Sequence, residues 1–321
     1  MTIKAILSAA LLSVTGYSAW AQDAFKEKPH LFSTPKNYVV SYTATAPNID
    51  GNIHDPVWQQ AAWTDEFVDI EGDLKPKPQF STKLKILWGD SCLYLAVKMQ
   101  EPHLWAKLTE HDQVIFQDND FEIFIDPDND ARNYFEIEIN QRNQIFDLFL
   151  PKPYRDRGDA LISWDAAGMK NAVQLQGSLN NPDDQDDGWT AEFQIPFRDI
   201  KMGFGRGAPA DGTVWRINFS RVEWDTEVKN GKYVKQKNAQ GKNLPERNWV
   251  WSAPGIVSMH APERWGYLQF TKNQSAKAIP FKVPYADLQK QYLWLVYYTQ
   301  QKYRQQHHTY ANSLADLGIS S

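Results

Sequence analysis

Two adjoining runs constrain this chain more than any other part of it: DNDFEIFIDPDND, from Asp118 to Asp130, and NYFEIEIN, from Asn133 to Asn140. Phe121, Ile123 and Ile125 alternate with Asp120, Glu122 and Asp126, and Phe135, Ile137 and Ile139 alternate with Glu136, Glu138 and Asn140. A period of two belongs to a strand whose side chains point to opposite faces, so both runs are expected as half-buried strands with one apolar and one acidic face. Asp126, Asp128, Asn129, Asp130 and Asn133 supply turn chemistry between them. The pair reads as a hairpin with a longish loop.

Strand patterns continue on both sides. They are expected at Tyr38 to Thr45, Leu84 to Trp88, Leu93 to Met99, Gln144 to Leu150, Asn171 to Leu175, Trp189 to Ile195, Val214 to Arg221 and Gly266 to Thr271, separated by turn-rich loops such as SLNNPDDQDDG and GRGAPADG. This many strands with few helices predicts an all-β fold, an antiparallel β-sandwich. Asp55 as N-cap and Pro56 at the first helical position predict a short helical turn in DPVWQQAAW, and Pro196 to Ile200 predicts a second. After Pro284 the pattern changes. Tyr285, Leu288, Tyr292, Leu295, Val296 and Tyr303 recur at helical spacing without Gly or Pro, which predicts a C-terminal amphipathic helix packed on the sandwich or on a protein partner.

The first 21 residues combine Lys4, an apolar run from Ala5 to Val14 and Ala19-Trp20-Ala21, the pattern of a secretory signal peptide cleaved after Ala21. The expected location is periplasmic or secreted. Residues 22–37 then form an N-terminal lead-in, 38–272 the sandwich and 273–321 the helical extension. No other segment reaches the ~20 apolar residues that a membrane span needs. The single Cys92 lies in the apolar run CLYLAVKM and is expected as a buried hydrophobe, so stability does not come from an internal disulfide. A net charge of −5 with dispersed basic residues argues against nucleic acid as the main partner.

Placing the expected strands in one sheet collects Glu122, Glu136, Glu138, Asn140, Glu192, Gln194, Arg216 and Asn218 on a polar face. Carboxylates, amides and a guanidinium suit the paired hydrogen bonds of sugar hydroxyls, and the 13% aromatic content could supply stacking faces. A solvated sheet face with cross-strand ion pairs fits the same residues. A glycosidase pair, two carboxylates about 5 to 9 Å apart, is a third reading, because same-face neighbours in any strand meet that spacing. Asp126, Asp128 and Asp130 have the spacing that opens an EF-hand, but Ala131 replaces the required Gly and Ile137 the bidentate Glu; a Ca²⁺ ion bridging these aspartates is the remaining metal expectation. His307 and His308 are adjacent and diverge on a helix. His260, beside Glu263 and Trp265, reads as a structural hydrogen-bonder or a ligand contact. No nucleophile elbow, Cys-His pairing or phosphate loop occurs, which favours binding over catalysis.

Eight segments in register resemble the family 9 carbohydrate-binding modules: IDGNIHDPVWQQA, LKILWGDSCLYLAVKM, DNDFEIFIDPDND, NYFEIEIN, ISWDAAG, GWTAEFQIPF, WRINFSR and MHAPERWGYLQF. The resemblance spans roughly residues 38 to 272. It implies a jelly-roll or immunoglobulin-like sandwich, carbohydrate binding without catalysis in an exported polysaccharide-utilisation setting, and structural calcium. It also implies a ligand contact at Glu122 and an aromatic stacking residue near Phe116. The partner aromatic would fall at Met259, which is not aromatic, and the arginine expected near Phe135 to Glu136 is replaced, so Trp105, Trp164, Trp251 or Trp265 are the alternative stacking surfaces. Glu138, Asn218 and His260 complete the expected site. A related sandwich class holds haem b through Met, Lys or His, and Met259 with His260 keeps that alternative beside the glycoside hydrolase.

Overall fold

The two alternating runs form the expected hairpin. A computed structural model describes residues 25, 28, 31–203, 205, 207–273 and 279–319 of the 321. The leader expected over residues 1–21, with its cleavage point, lies outside the described residues. The chain divides into two units, residues 34–281 and a second made of residues 1–33 with 282–321.

In the larger unit the strands are β1 (Asn37–Tyr42), β2 (Val68–Asp69), β3 (Thr82–Trp88), β4 (Cys92–Gln100), β5 (Asp120–Asp126), β6 (Tyr134–Asn140), β7 (Ile145–Leu150), β8 (Lys170–Gln176), β9 (Gly188–Pro196), β10 (Val214–Glu223), β11 (Thr226–Lys229), β12 (Lys232–Lys235), β13 (Arg247–Val250) and β14 (Gly266–Thr271). Twelve of them join one curled sheet in the order β7-β6-β5-β10-β14-β1-β3-β4-β9-β8, with β13 on β10 and β2 on β13, while β11 and β12 pair separately. The sheet folds onto itself as a sandwich. Phe121, Ile123 and Ile125 of β5 share one core with Leu93, Leu95 and Val97 of β4 and with Phe193 and Ile195 of β9, from the other end of the strand order. Phe121 bridges the halves, 6.2 Å from the Phe193 ring and 6.0 Å from that of Phe219.

Three sequence expectations are corrected. The sheet is mixed, because β1 runs parallel to both β14 and β3; β1 enters between strands to which no hairpin ties it, so nothing imposes the antiparallel direction. Pro196 to Ile200 is a turn closed by the Asp199 N–H on the Pro196 carbonyl, not a helix, since β9 already runs to Pro196. The other expected turn does form, as a 3-10 helix over Pro56–Gln60 with Asp55 Oδ1 capping the Val57 N–H at 2.9 Å. The third correction concerns Glu192. It sits on β9, far along the strand order from β5, and its carboxylate accepts from the Asp50 and Gly51 N–H groups and from Trp58 Nε1. It pins the IDGNIHDPVW segment to the sheet instead of joining Glu122.

Arg221, 1% exposed, locks the curl. From β10 it donates to Glu101 Oε2 and Glu223 Oε2, and it crosses to Thr82 Oγ1 of β3 and the Gln100 carbonyl of β4. Asn119 Nδ2 donates to the same two glutamates.

In the smaller unit the helix α1 (Tyr285–His307) buries Leu295 against Leu317 and Ile319, with Phe25, Leu31, Phe32, Tyr292 and Val296 packed around them. The apolar stripe read from the sequence is thus partly covered by the lead-in and by the chain that follows the helix. Tyr285 and Leu288 of that stripe stay exposed. Among the described residues no helix is long and apolar enough to cross a membrane.

Replacing Arg221 by Met strands Glu101 and Glu223 together in the interior, and one-sided removal of a buried ion pair costs about 3–5 kcal/mol. Urea denaturation of Arg221→Met should register that loss, and adding Glu101→Gln with Glu223→Gln should recover most of it. Equal stability of wild type and Arg221→Met would contradict the lock.

Candidate functional site

Alternation sends Asp120, Glu122 and Phe124 of β5 and Tyr134, Glu136 and Glu138 of β6 to the face opposite the main core. Register sets Glu122 opposite Glu138 on one side and Ser220 on the other, and Phe124 opposite Glu136. The expectation of a half-buried pair fails here: every residue of β5 and β6 is buried. The reason is a second apolar cluster over the acidic face, in which Ile115, Phe146, Leu148, Met259 and Trp265 pack on Phe124 and Tyr134.

A cleft of about 430 Å³ opens between that cluster and the carboxylates. Glu122, Glu136 and Glu138 form its floor, and Phe116, Phe124, Phe146, Tyr154 and Met259 line it with His260. Val114, Ile162 and Val257 add an exposed apolar rim. Among the described residues, clefts of about 640 Å³ beside Trp63 and about 680 Å³ beside Lys98 are larger, but neither is lined by a buried carboxylate.

The floor is electrostatically unusual. Burial, and then the charge of Glu122, holds Asp120 and Glu136 well above the usual carboxylate range, and burial with the charges of Asp120, Glu122 and Glu136 does the same to Glu138. Burial pushes Glu122 up to about 7. His260 moves the other way, down to about 4, because it is buried and faces the Arg155 charge. It is therefore a neutral imidazole at neutral pH, with Nδ1 3.1 Å from the Tyr134 hydroxyl and Nε2 3.9 Å from Glu136. Glu138 Oε2 also accepts from the Phe116 N–H at 2.9 Å, so one carboxylate both lines the cleft and fixes the aromatic beside it.

Of the eight residues expected to bind ligand, the structure brings Phe116, Glu122, Glu138 and His260 together and puts the other four elsewhere. Trp105 is 1% exposed in a cluster with Val222, Trp224 and Tyr233. Trp164 packs on the main core, 4.8 Å from the Phe135 ring. Asn218 is buried, and its amide bonds the Ser252 backbone in both directions. Trp265 is fully buried under the cleft, donating to the Met259 carbonyl. Trp251 is core as well. The indoles of Trp105, Trp251 and Trp265 are buried, whereas Trp164 is partly exposed away from the cleft. Sequence reasoning missed Tyr154, 46% exposed, whose ring stands edge-on to His260 at 4.5 Å. Its signal was weak, one aromatic in the turn-rich PKPYRDRGD.

The family described as carbohydrate family 9 binding domain-like matches residues 49–272. The chain belongs to this family. Among solved structures, a family 9 carbohydrate-binding module from Caldicellulosiruptor kristjanssonii in complex with cellotriose is 16% identical, covers 77% of this chain and all of its own, and superposes with a TM-score of 0.45. A candidate carbohydrate-binding protein from Bacteroides uniformis is 17% identical, with a TM-score of 0.54 over 74% of this chain and all of its own. The latter supports the fold. No curated protein matches. Within the family 9 frame, Phe116 and Met259 both line the cleft, so the wall expected to carry a second aromatic carries a thioether here.

The carboxyls predict an inverted pH profile for stability. An unfolded Glu ionises near ~4.3, whereas folded Glu122 holds its proton to about 7, so the folded state binds more protons between these values. That contribution is complete below the unfolded value and is lost as pH rises through 7. His260 has the opposite sign, costing stability as pH falls below ~6.5; between pH 6.5 and 7.5 the raised carboxyls decline together with His111, which Asp165 holds up, and above that Lys235, lowered to about 8 by burial, opposes them, so the Glu122 share is read from its substitution. Unfolding free energy should decline between pH 6.5 and 7.5, by at most ~1.4 kcal/mol per pH unit for each proton released, and Glu122→Gln should flatten the slope. Denaturation curves at fixed pH decide; a rising profile contradicts the buried floor.

Proposed function

We propose that this family 9 protein captures an oligosaccharide or polysaccharide chain in the cleft between β5, β6 and residues 257–260, without cleaving it. The observation that carries the reading is an apolar-walled cleft with carboxyls on its floor. Phe116 and Tyr154 offer ring faces to the C–H side of a sugar ring, and the floor offers hydrogen bonds to its hydroxyls. A carboxyl that keeps its proton near neutrality both donates and accepts, as a hydroxyl needs, and presents no full negative charge to a neutral ligand.

Non-catalytic binding is favoured over glycoside hydrolysis by the same floor. A glycosidase separates its two carboxyls into one acid and one ionised partner by giving them different environments. Here burial moves all three floor carboxyls, and Asp120 beside them, in one direction. The leader pattern of residues 1–21 supports export to the periplasm or beyond, in a polysaccharide-utilisation setting. The exposed Tyr285 and Leu288 of α1 leave room for a protein partner in the same assembly.

A structural calcium ion belongs to the proposal. Asp126, Asp128 and Asp130 each offer a carboxylate oxygen, all within 4.8 Å of one another, an all-oxygen set that suits Ca²⁺. Asp126 already closes the loop by accepting from the Asn129 and Ala131 N–H groups, so the ion would stiffen this turn without creating it.

The test is affinity electrophoresis of the exported protein, sequenced to begin at Gln22, through gels of different polysaccharides. Retention on at least one glycan without release of reducing ends is expected. Glu122→Met should weaken it about twofold to tenfold, from the ~0.5–1.5 kcal/mol of a neutral hydrogen bond, and Phe116→Ala about tenfold. EDTA should lower the melting temperature and Ca²⁺ restore it, except in Asp128→Asn. No retention on any glycan, or retention indifferent to both cleft substitutions, contradicts the site; reducing-end release contradicts the binding-only reading.

A further inference from the structure

On the opposite side of β7 from the cleft, four ligand-type atoms converge. Phe146 and Leu148 of β7 line the cleft, whereas Asp147 between them points the other way. Its Oδ2 accepts from the Ala166 N–H, which fixes the carboxylate, and its Oδ1 has no hydrogen-bond partner although the residue is 2% exposed. His111 and Asp112 reach it from the loop between β4 and β5, which the Asp112 N–H ties to the Ile145 carbonyl at 3.0 Å. Asp165 comes from the loop after β7. His111 Nε2 lies 3.0 Å from Asp165 Oδ1, 3.4 Å from Asp112 Oδ1 and 3.7 Å from Asp147 Oδ1.

We propose that His111, Asp112, Asp147 and Asp165 form a binding site for a divalent transition-metal ion of the zinc class. The four atoms lie within 4.8 Å of one another. Ligands held 2.0–2.2 Å from a tetrahedral ion stand about 3.3–3.6 Å apart, and the three histidine-to-carboxylate separations bracket that edge. Imidazole with carboxylates selects zinc and its neighbours, whereas Ca²⁺ and Mg²⁺ take oxygen donors alone.

A histidine ion pair accounts for the cluster less well. Nε2 carries one proton and aims it at one acceptor, Asp165. The Oδ1 atoms of Asp112 and Asp147 then stay without a partner and out of reach of solvent, which an ion between them remedies at once. The Ala166 N–H on Asp147 is the kind of outer hydrogen bond that orients a metal ligand. Trp164, next to Asp165, places a fluorophore beside the site. Because β7 separates this cluster from the cleft, neither depends on the other.

Isothermal titration of the untagged full chain, stripped with EDTA and dialysed, is expected to give one Zn²⁺ per chain at micromolar or tighter affinity. Co²⁺ should produce a visible absorption band, and Cu²⁺ should quench tryptophan emission. His111→Gln, at a half-exposed position that folding does not need, should weaken Zn²⁺ binding at least tenfold and abolish the band while leaving glycan retention unchanged. Asp147→Asn should do the same, its fold checked by its melting curve. No stoichiometric uptake, or uptake undiminished in His111→Gln, overturns the site. Displacement of Zn²⁺ by an equal concentration of Ca²⁺ overturns the class of ion.

Discussion

The curled sheet depends on one buried guanidinium. Ten hydrogen-bonded strands in a single path make a long ribbon, and twist alone bends it without deciding which strands meet. Arg221 decides. Its five donors reach a strand on each side of the fold, and the fixed fork of a guanidinium demands acceptors in its own plane. Glu101, Glu223 and Asn119 supply and organise them. Apolar packing around Phe121 tolerates small shifts, but this network does not, so the register of the two halves follows from it.

That register sets the chemistry of the cleft. Because β10 lies beside β5, Ser220 and Val222 flank Glu122 and Asp120, and the cation on that face of the ladder, Arg216, pairs with Asp126 at the far end of β5. The arginine of the same strand that could have neutralised them, Arg221, points into the lock. Arg216 stands two residue pairs from Asn218 and is turned toward Tyr267 and the Trp265 carbonyl. The floor is acidic and desolvated, and the Arg155 guanidinium near it is held by Glu263 and the His260 carbonyl. Cost falls on the folded state, as expected of a surface kept for a ligand.

Strand positions were legible because alternation writes them directly: ten segments were read, and the additional strands β2, β11, β12 and β13 are two to four residues long, too short for a period to register. Register and layering were not legible. Alternation says that Glu122 and Glu192 leave the core face of their strands but not that β9 lies at the far end of the path, so the polar face assembled from sequence mixed two separate surfaces. The tryptophans misled for a related reason. Trp105, Trp251 and Trp265 sit among turn residues, where an exposed indole would also sit, and only packing distinguishes them. Of the four expected residues that line one cleft, strand alternation pointed to Glu122 and Glu138, the family 9 resemblance to Glu122 and Phe116, and the neighbours Glu263 and Trp265 to His260.

What separates a structural carboxylate from a functional one in this fold is its partner, not its burial. Asp118 receives the Lys107 and Leu108 N–H groups and Asn140 Nδ2; Asp186 receives Leu104 and Ser178; Glu192 receives Asp50, Gly51 and Trp58. Each holds loop segments in place through the two or three hydrogen bonds it accepts, the usual role of a buried acid in a loop-rich sandwich. Asp120 Oδ2 and Asp147 Oδ1 are equally buried yet accept nothing. Both stand on strands near the β7 edge, each beside further acids, on opposite faces of the same three-stranded segment. An unpaired buried oxygen costs about 1–3 kcal/mol, which a fold with so many loop N–H groups at hand could have avoided. Among the described strand carboxylates, Asp120 stands beside the cleft floor and Asp147 in the His111 cluster, and that is the physical reason to look for ligands on both faces of β5, β6 and β7.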